Sequence, residues 1–193
     1  MAKIKGTGLL DVVKRLRNHK EAAKKVLPPH LHSYLEDRII IFGWYPAEDH
    51  LALLRALVAL LPQEPAECYD FMGRLSARKD LLGVYRNALK EGNPLGMLKA
   101  GRQVWASYHD TGRILVTPEG PGQARLDLVG YEMPSEEMCA INTAWIHEEL
   151  ILSGAKDPEV MHSRCCLRRD QLCRWECKWQ EEEAAGDAGD PAA

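Results

Sequence analysis

The stretch EVMHSRCCLRRDQLCRWECKW, residues 159–179, decides the fold. Its second half alternates: Cys173, Trp175, Cys177 and Trp179 fall on one side, and Arg174, Glu176 and Lys178 on the other. A period of two marks a strand with one buried and one wetted face. Glu159–Leu167 reads as the partner strand and the polar Arg168–Gln171 as the turn between them. A second hairpin lies upstream, where Gly112–Glu119 and Ala124–Glu132 flank Gly120-Pro121-Gly122. Between the hairpins, Ser135 can cap a helix running to Leu152, which Gly154 ends.

Residues 1–100 read as helical. Gly8–Val26 keeps a loose helical period through Leu9, Val12, Val13, Leu16 and Ala23, and Pro28-Pro29 stops it. His30–Ile41 is a short apolar segment, and Trp44-Tyr45-Pro46 reads as a turn. Glu48–Leu61 places Leu51, Leu54, Leu57, Val58 and Leu61 on one face. Glu67–Leu75, Asp80–Glu91 and Leu95–His109 follow as further helices, the middle one closed by Gly92-Asn93-Pro94. The order predicts an α+β fold, with N-terminal helices packed on an antiparallel sheet made of two hairpins separated by a helix.

The 193 residues suffice for one domain with its own core. Apolar residues make up 46% and charged residues 27%, which excludes a disordered or collagen-like chain. The longest apolar run, Leu51–Leu61, contains Arg55 and falls short of the roughly 18 to 20 residues that span a bilayer. The N-terminus lacks a signal-peptide pattern, so a cytoplasmic address is expected. Five of the 28 acidic residues lie in 181–193, EEEAAGDAGDPAA, and the remaining body is about +2. A near-neutral body argues against nucleic-acid binding. The reading is therefore one domain over 1–180 and a disordered acidic tail over 181–193.

Phosphate-binding, dinucleotide, nucleophile-elbow and zincin motifs are absent. His147-Glu148-Glu149 begins like a zincin motif, but Ile151 stands where its second histidine would be. His30 and His32 fit a solvated turn, and the acidic pairs at helix starts complement the macrodipole. No catalytic residue is assigned.

Five of six cysteines fall between Cys139 and Cys177. In a chain without secretory marks, such clustering points to metal, redox chemistry or buried thiols rather than disulfides. The hairpin turn lets Cys165 and Cys173 approach, with Cys139 supplied by the preceding helix. Three thiolates suit tetrahedral zinc, which needs a fourth donor. His162 is nearest in sequence, but on a regular strand it faces away from Cys165; Asp110 or Glu119 would also serve.

Several of these residues carry a resemblance. Cys139 with Ala-Ile-Asn-Thr-Ala-Trp, Ser153-Gly154, Val160-x-His162-x-x-Cys165, and Arg169-Asp170-Gln171-Leu172-Cys173 with Trp175 resemble the 4-vinyl-reductase ligand-binding domain. Its superfamily includes haem–nitric-oxide-binding domains and TRAPP-type trafficking subunits. The spacing Cys139–Cys165–Cys173 is similar to the zinc site of phenol-sensing activators, where three cysteines and a glutamate hold a structural zinc. Lys5-Gly6, Trp44-Tyr45-Pro46, Trp105, Tyr108-x-Asp110-x-Gly112, Gly130-Tyr131 and the His162…Trp179 ending resemble a myxobacterial paralogous family of unknown function over roughly residues 3–180. Arg169 stands where that family has glycine.

The resemblance implies a non-catalytic small-molecule sensor with an apolar pocket, acting through protein contacts. Trp105, Tyr108, Tyr131, Met138 and Trp145 would line the pocket for a hydrophobic or aromatic ligand. Cys139, Cys165 and Cys173 would hold a structural zinc. Haem is not expected, because the Tyr-x-Ser-x-Arg triplet that haem-binding relatives use is absent; His109 and His147 are the axial candidates. The alternative is a dimerising protein–protein adaptor with no ligand, and a homodimer or protein partner is expected on either reading.

Overall fold

The computed structural model describes residues 1–180. The acidic stretch 181–193, expected to be disordered, lies outside the described residues. Both hairpins form as the alternation predicts. Strand β3 (Arg113–Gly120) pairs with β4 (Gln123–Val129), and β5 (Lys156–Arg164) pairs with β6 (Cys173–Gln180). The two hairpins join through β4 and β6, giving an antiparallel sheet of order β3-β4-β6-β5. Cys173, Trp175, Cys177 and Trp179 are all buried, so one face of β6 meets the core. Pro118 and Pro158 sit on the two outer strands, positions that tolerate a residue without an amide donor.

Helix α7 (Glu136–Leu152) lies between the hairpins in sequence, and Ser135 Oγ accepts from the Met138 amide at 3.2 Å. Apolar residues surround this helix on more than one face, the mark of an element buried between layers. It packs against α5 (Pro65–Lys79) on one side and the sheet on the other. Gly73 of α5 permits that approach: a Cβ there would stand 2.4 Å from the Ile141 carbonyl oxygen.

The N-terminal half differs from expectation in three places. The helix foreseen over Gly8–Val26 is two, α1 (Gly6–Arg17) and α2 (Lys20–Val26), broken at Asn18-His19. The break lacks proline or glycine, so no local marker announces it. Trp44-Tyr45-Pro46 is not a turn but strand β2, paired antiparallel with β1 (Lys3–Lys5). Three residues are too few for alternation to show. The helix foreseen over Asp80–Glu91 is instead a π-turn over 80–84 followed by a 3-10 turn over 86–88. A short helix α3 (Ser33–Glu36), then α4 (Ala47–Ala59) and α6 (Pro94–Tyr108) complete the seven α-helices among the described residues.

Two buried clusters result. One joins α1 to α4 through Leu9, Val13, Leu16, Leu53, Leu54 and Leu57. The other joins α6 and α7 to the sheet through Leu98, Leu126, Leu150, Trp175 and Cys177. A cavity lies between them.

Candidate functional site: a ligand cavity beside a cysteine–histidine cluster

The cavity has a volume of about 300 Å³ and is walled by α1, α4, α5, α6, α7 and the inner face of the sheet. That volume lies at the small end for ligand sites. Trp105 and Tyr108 reach it from α6, Met138 and Trp145 from α7, and Trp175 from β6. Of the five residues proposed from sequence, Tyr131 stands behind the wall, edge-on to Trp105 at 5.1 Å. The reading from sequence missed His50, Asp80 and Glu149, which also line the space. They look like ordinary surface positions of amphipathic helices until the helices are packed.

The buried polar groups of the lining are two histidines and two acids. Burial lowers the pKa of His50 to about 4 and that of His109 to about 3, so both rings are uncharged at neutral pH. His109 stacks on Trp105 with centroids 4.0 Å apart, and its Nδ1 is buried without a hydrogen-bond partner. Asp80 accepts from the Tyr108 hydroxyl at 2.8 Å and the Ser76 hydroxyl at 3.4 Å. Desolvation raises its carboxyl above the usual range, against those bonds. Glu149 is 1% exposed, its Oε2 has no partner, and burial pushes its pKa well up.

The sulfur cluster sits where α7 meets the β5–β6 turn. The Sγ atoms of Cys139 and Cys165 are 3.9 Å apart, and those of Cys165 and Cys173 are 4.0 Å apart. These separations exclude a disulfide and approach the roughly 3.8 Å edge of a zinc tetrahedron built on 2.3 Å bonds. His162 completes the set: one donor atom from each of the four residues lies within 4.8 Å of every other. The expectation that His162 faces away is corrected. The ladder between β5 and β6 shifts register between His162 and Arg164, and a bulge re-aims a side chain. The two carboxylates considered for the fourth position are engaged elsewhere, Asp110 with the Lys3 amide and Glu119 with Arg125.

Two features orient these donors. The Asp170 carboxylate accepts from the Cys165 amide at 2.7 Å. Arg169 takes the left-handed conformation, with φ of 70°, to close the turn. The ring of His162 stacks on Trp175 at 4.7 Å, and its Nε2 is buried without a partner. The hydrogen bond from Cys139 holds the Cys173 thiol far below its ordinary pKa, while the same bond and burial push Cys139 up. Three converging buried sulfurs with an orphaned imidazole nitrogen beside them have the donor chemistry of a Cys3His zinc site. Trp175 links this cluster to the cavity. Its Nε1 donates to Thr143 Oγ1 at 2.8 Å, and that hydroxyl donates to the Cys139 carbonyl at 2.8 Å.

No family model matches the sequence, and no curated protein matches it. Solved structures do match in fold. An H-NOX protein from K. algicida in its unliganded Fe(II) state superposes with a TM-score of 0.66 at 12% identity, over 92% of this chain and 97% of that one. An H-NOX protein from S. oneidensis, also Fe(II), gives 0.63 at 13% identity over 93% and 98%. An H-NOX family member used to probe haem distortion gives 0.63 at 11% identity over 93% and 95%.

This finding corrects the expectation that haem is unlikely, since the matched domains are haem proteins. The missing triplet removed one set of donors, not all of them. His109 lines the cavity, and its buried, neutral ring has an unpartnered Nδ1, so it is the residue that would ligate a haem iron. His147 does not face it; its ring bonds Arg74 instead. Arg15, on the exposed side of the lining, would be the cation to meet carboxylates; Lys79 is already paired with Asp11. The donor set thus fits haem at His109, while the present volume would require the wall to open for a macrocycle. At this level of identity the comparison establishes one thing, that the chain has the H-NOX fold.

Proposed function

We propose that this chain is a non-catalytic small-molecule sensor module of the 4-vinyl-reductase type. Its cavity holds an apolar or aromatic ligand beside Trp105, Tyr108, Met138 and Trp145, with Tyr131 backing Trp105. A structural zinc held by Cys139, His162, Cys165 and Cys173 fixes the wall. The signal passes by contact with a protein partner or a second copy. The resemblance to the myxobacterial paralogous family and a cytoplasmic address belong to the same proposal.

One observation carries the reading: the donor cluster and the cavity share Trp175, which stacks on His162 and lines the pocket. An alternative, the ligand-free dimerising adaptor, draws on the exposed Ile40, Ile41, Phe42 and Trp44, a run that a second copy could cover. No helix among the described residues is long and apolar enough to cross a membrane.

Native mass spectrometry of the protein as purified tests both. The sensor reading expects the mass of one zinc ion, lost in Cys165→Ser and His162→Ala. Added apolar aromatics should raise the melting temperature. A metal-free dimer that ignores every such compound would leave the adaptor.

A further inference from the structure

The chain carries two adjacent buried glutamates on α7 and treats them differently. Glu148 is paired: Arg78 Nε lies 2.6 Å from its Oε1 and Arg74 3.5 Å from its Oε2. Glu149 is equally buried, yet its Oε2 has no hydrogen bond. It lines the cavity rather than the α5–α7 seam. Gly101 of α6 makes room for it, because a Cβ there would stand 3.1 Å from Oε2.

The cavity offers this carboxyl no cation. Lys79 pairs with Asp11 at 2.6 Å, and its side chain is 58% exposed. Arg15 is exposed as well. The titratable neighbour on the sheet is Cys177, a thiol kept protonated by burial. His50 and His109 are neutral. The second buried acid, Asp80, already has its donors. A buried carboxyl without a partner destabilises the fold, and an apolar residue would pack there at less cost. Burial, an unpartnered oxygen and a cavity together mark Glu149 as a group whose partner arrives with the ligand. Three indoles, Trp105, Trp145 and Trp175, line the same space, and indole faces attract cations.

We infer that the cavity recognises an amine, with an apolar body of aromatic-ring size beside the tryptophans and an ammonium group paired with Glu149. This rests on the sensor reading and names its ligand class. On binding, the ligand's ammonium pairs with the Glu149 carboxylate, and the proton that the buried carboxyl held in the empty cavity is released to solvent; no bond in the ligand breaks.

The test compares 2-phenylethylamine with 2-phenylethanol, which has the same body and no charge, by calorimetric titration of the whole metal-loaded chain at pH 7. The amine should bind about tenfold or more tightly than the alcohol. Glu149→Gln, a neutral isostere of the protonated acid, should remove that preference, so that the amine binds no more tightly than the alcohol. Equal binding of the two by the wild type, or a preference that survives in Glu149→Gln, overturns the amine assignment and leaves the sensor reading standing. Binding of neither overturns both. Tight haem binding, followed by its Soret band and not displaced by the amine, also overturns the assignment.

Discussion

At the scale of single residues, the chain concentrates its unusual chemistry in side chains that lack protein partners. Arg169 holds a left-handed conformation that costs a residue with a Cβ roughly 1–2 kcal/mol. Arg169→Gly should therefore raise stability by about 1 kcal/mol, read from the midpoint of denaturant unfolding. The two cavity histidines give a pH dependence. Their folded pKa values lie below the unfolded value of 6.5, so the unfolded chain binds more protons as pH falls below 6.5, and stability is lost in that direction. Between pH 7 and pH 5, His109 alone should remove about 2 kcal/mol. Asp80 and Glu149, with raised pKa values, work in the opposite sense. The measurement is therefore the difference in acid sensitivity between wild type and His109→Gln, and equal sensitivity would contradict the burial argument. Sequence spacing made three of the four sulfur-cluster donors legible. It hid His162, because strand periodicity assumes a regular ladder and the bulge at His162–Arg164 breaks it.

At the scale of elements, α7 is the pivot between helices and sheet. Its start was legible because Ser135 caps it and Glu136 and Glu137 follow in the first turn. Ser135→Ala should cost about 1 kcal/mol, seen as a lower thermal midpoint with the cluster intact. Its packing was not legible, since a glycine in the middle of α5 carries no sign of what it faces. Gly73→Ala would drive a methyl group to within 2.4 Å of the Ile141 oxygen and 2.7 Å of Ala144 Cβ. A loss of about 1–3 kcal/mol is expected, and, because α5 and α7 both wall the cavity, weaker binding of the ligand class proposed for it. If that variant melted like the wild type, the close α5–α7 contact would be refuted. The β1–β2 pair shows the lower limit of pattern reading: cross-strand pairing creates it, and three residues carry too little pattern to announce it.

At the scale of the whole molecule, a helical half and a sheet half each bury their own cluster and leave a space between them. Periodicity predicts both halves, but the space depends on the angle at which they meet, which no local pattern records. The donor cluster lies wholly within the sheet half, where it ties α7 to the β5–β6 turn. On the zinc proposal, a chelator should lower the melting temperature and shift tryptophan emission, because Trp175 touches both His162 and the cavity. Unchanged emission would separate the two sites. The outer strands hold a further consequence. Pro118 and Pro158 each delete an amide donor from an edge of the sheet. Continuous strand-to-strand annealing between copies is therefore disfavoured at both edges of this sheet. An oligomer of this chain is therefore expected to form through side chains rather than by extending this sheet, and to yield to surface substitution.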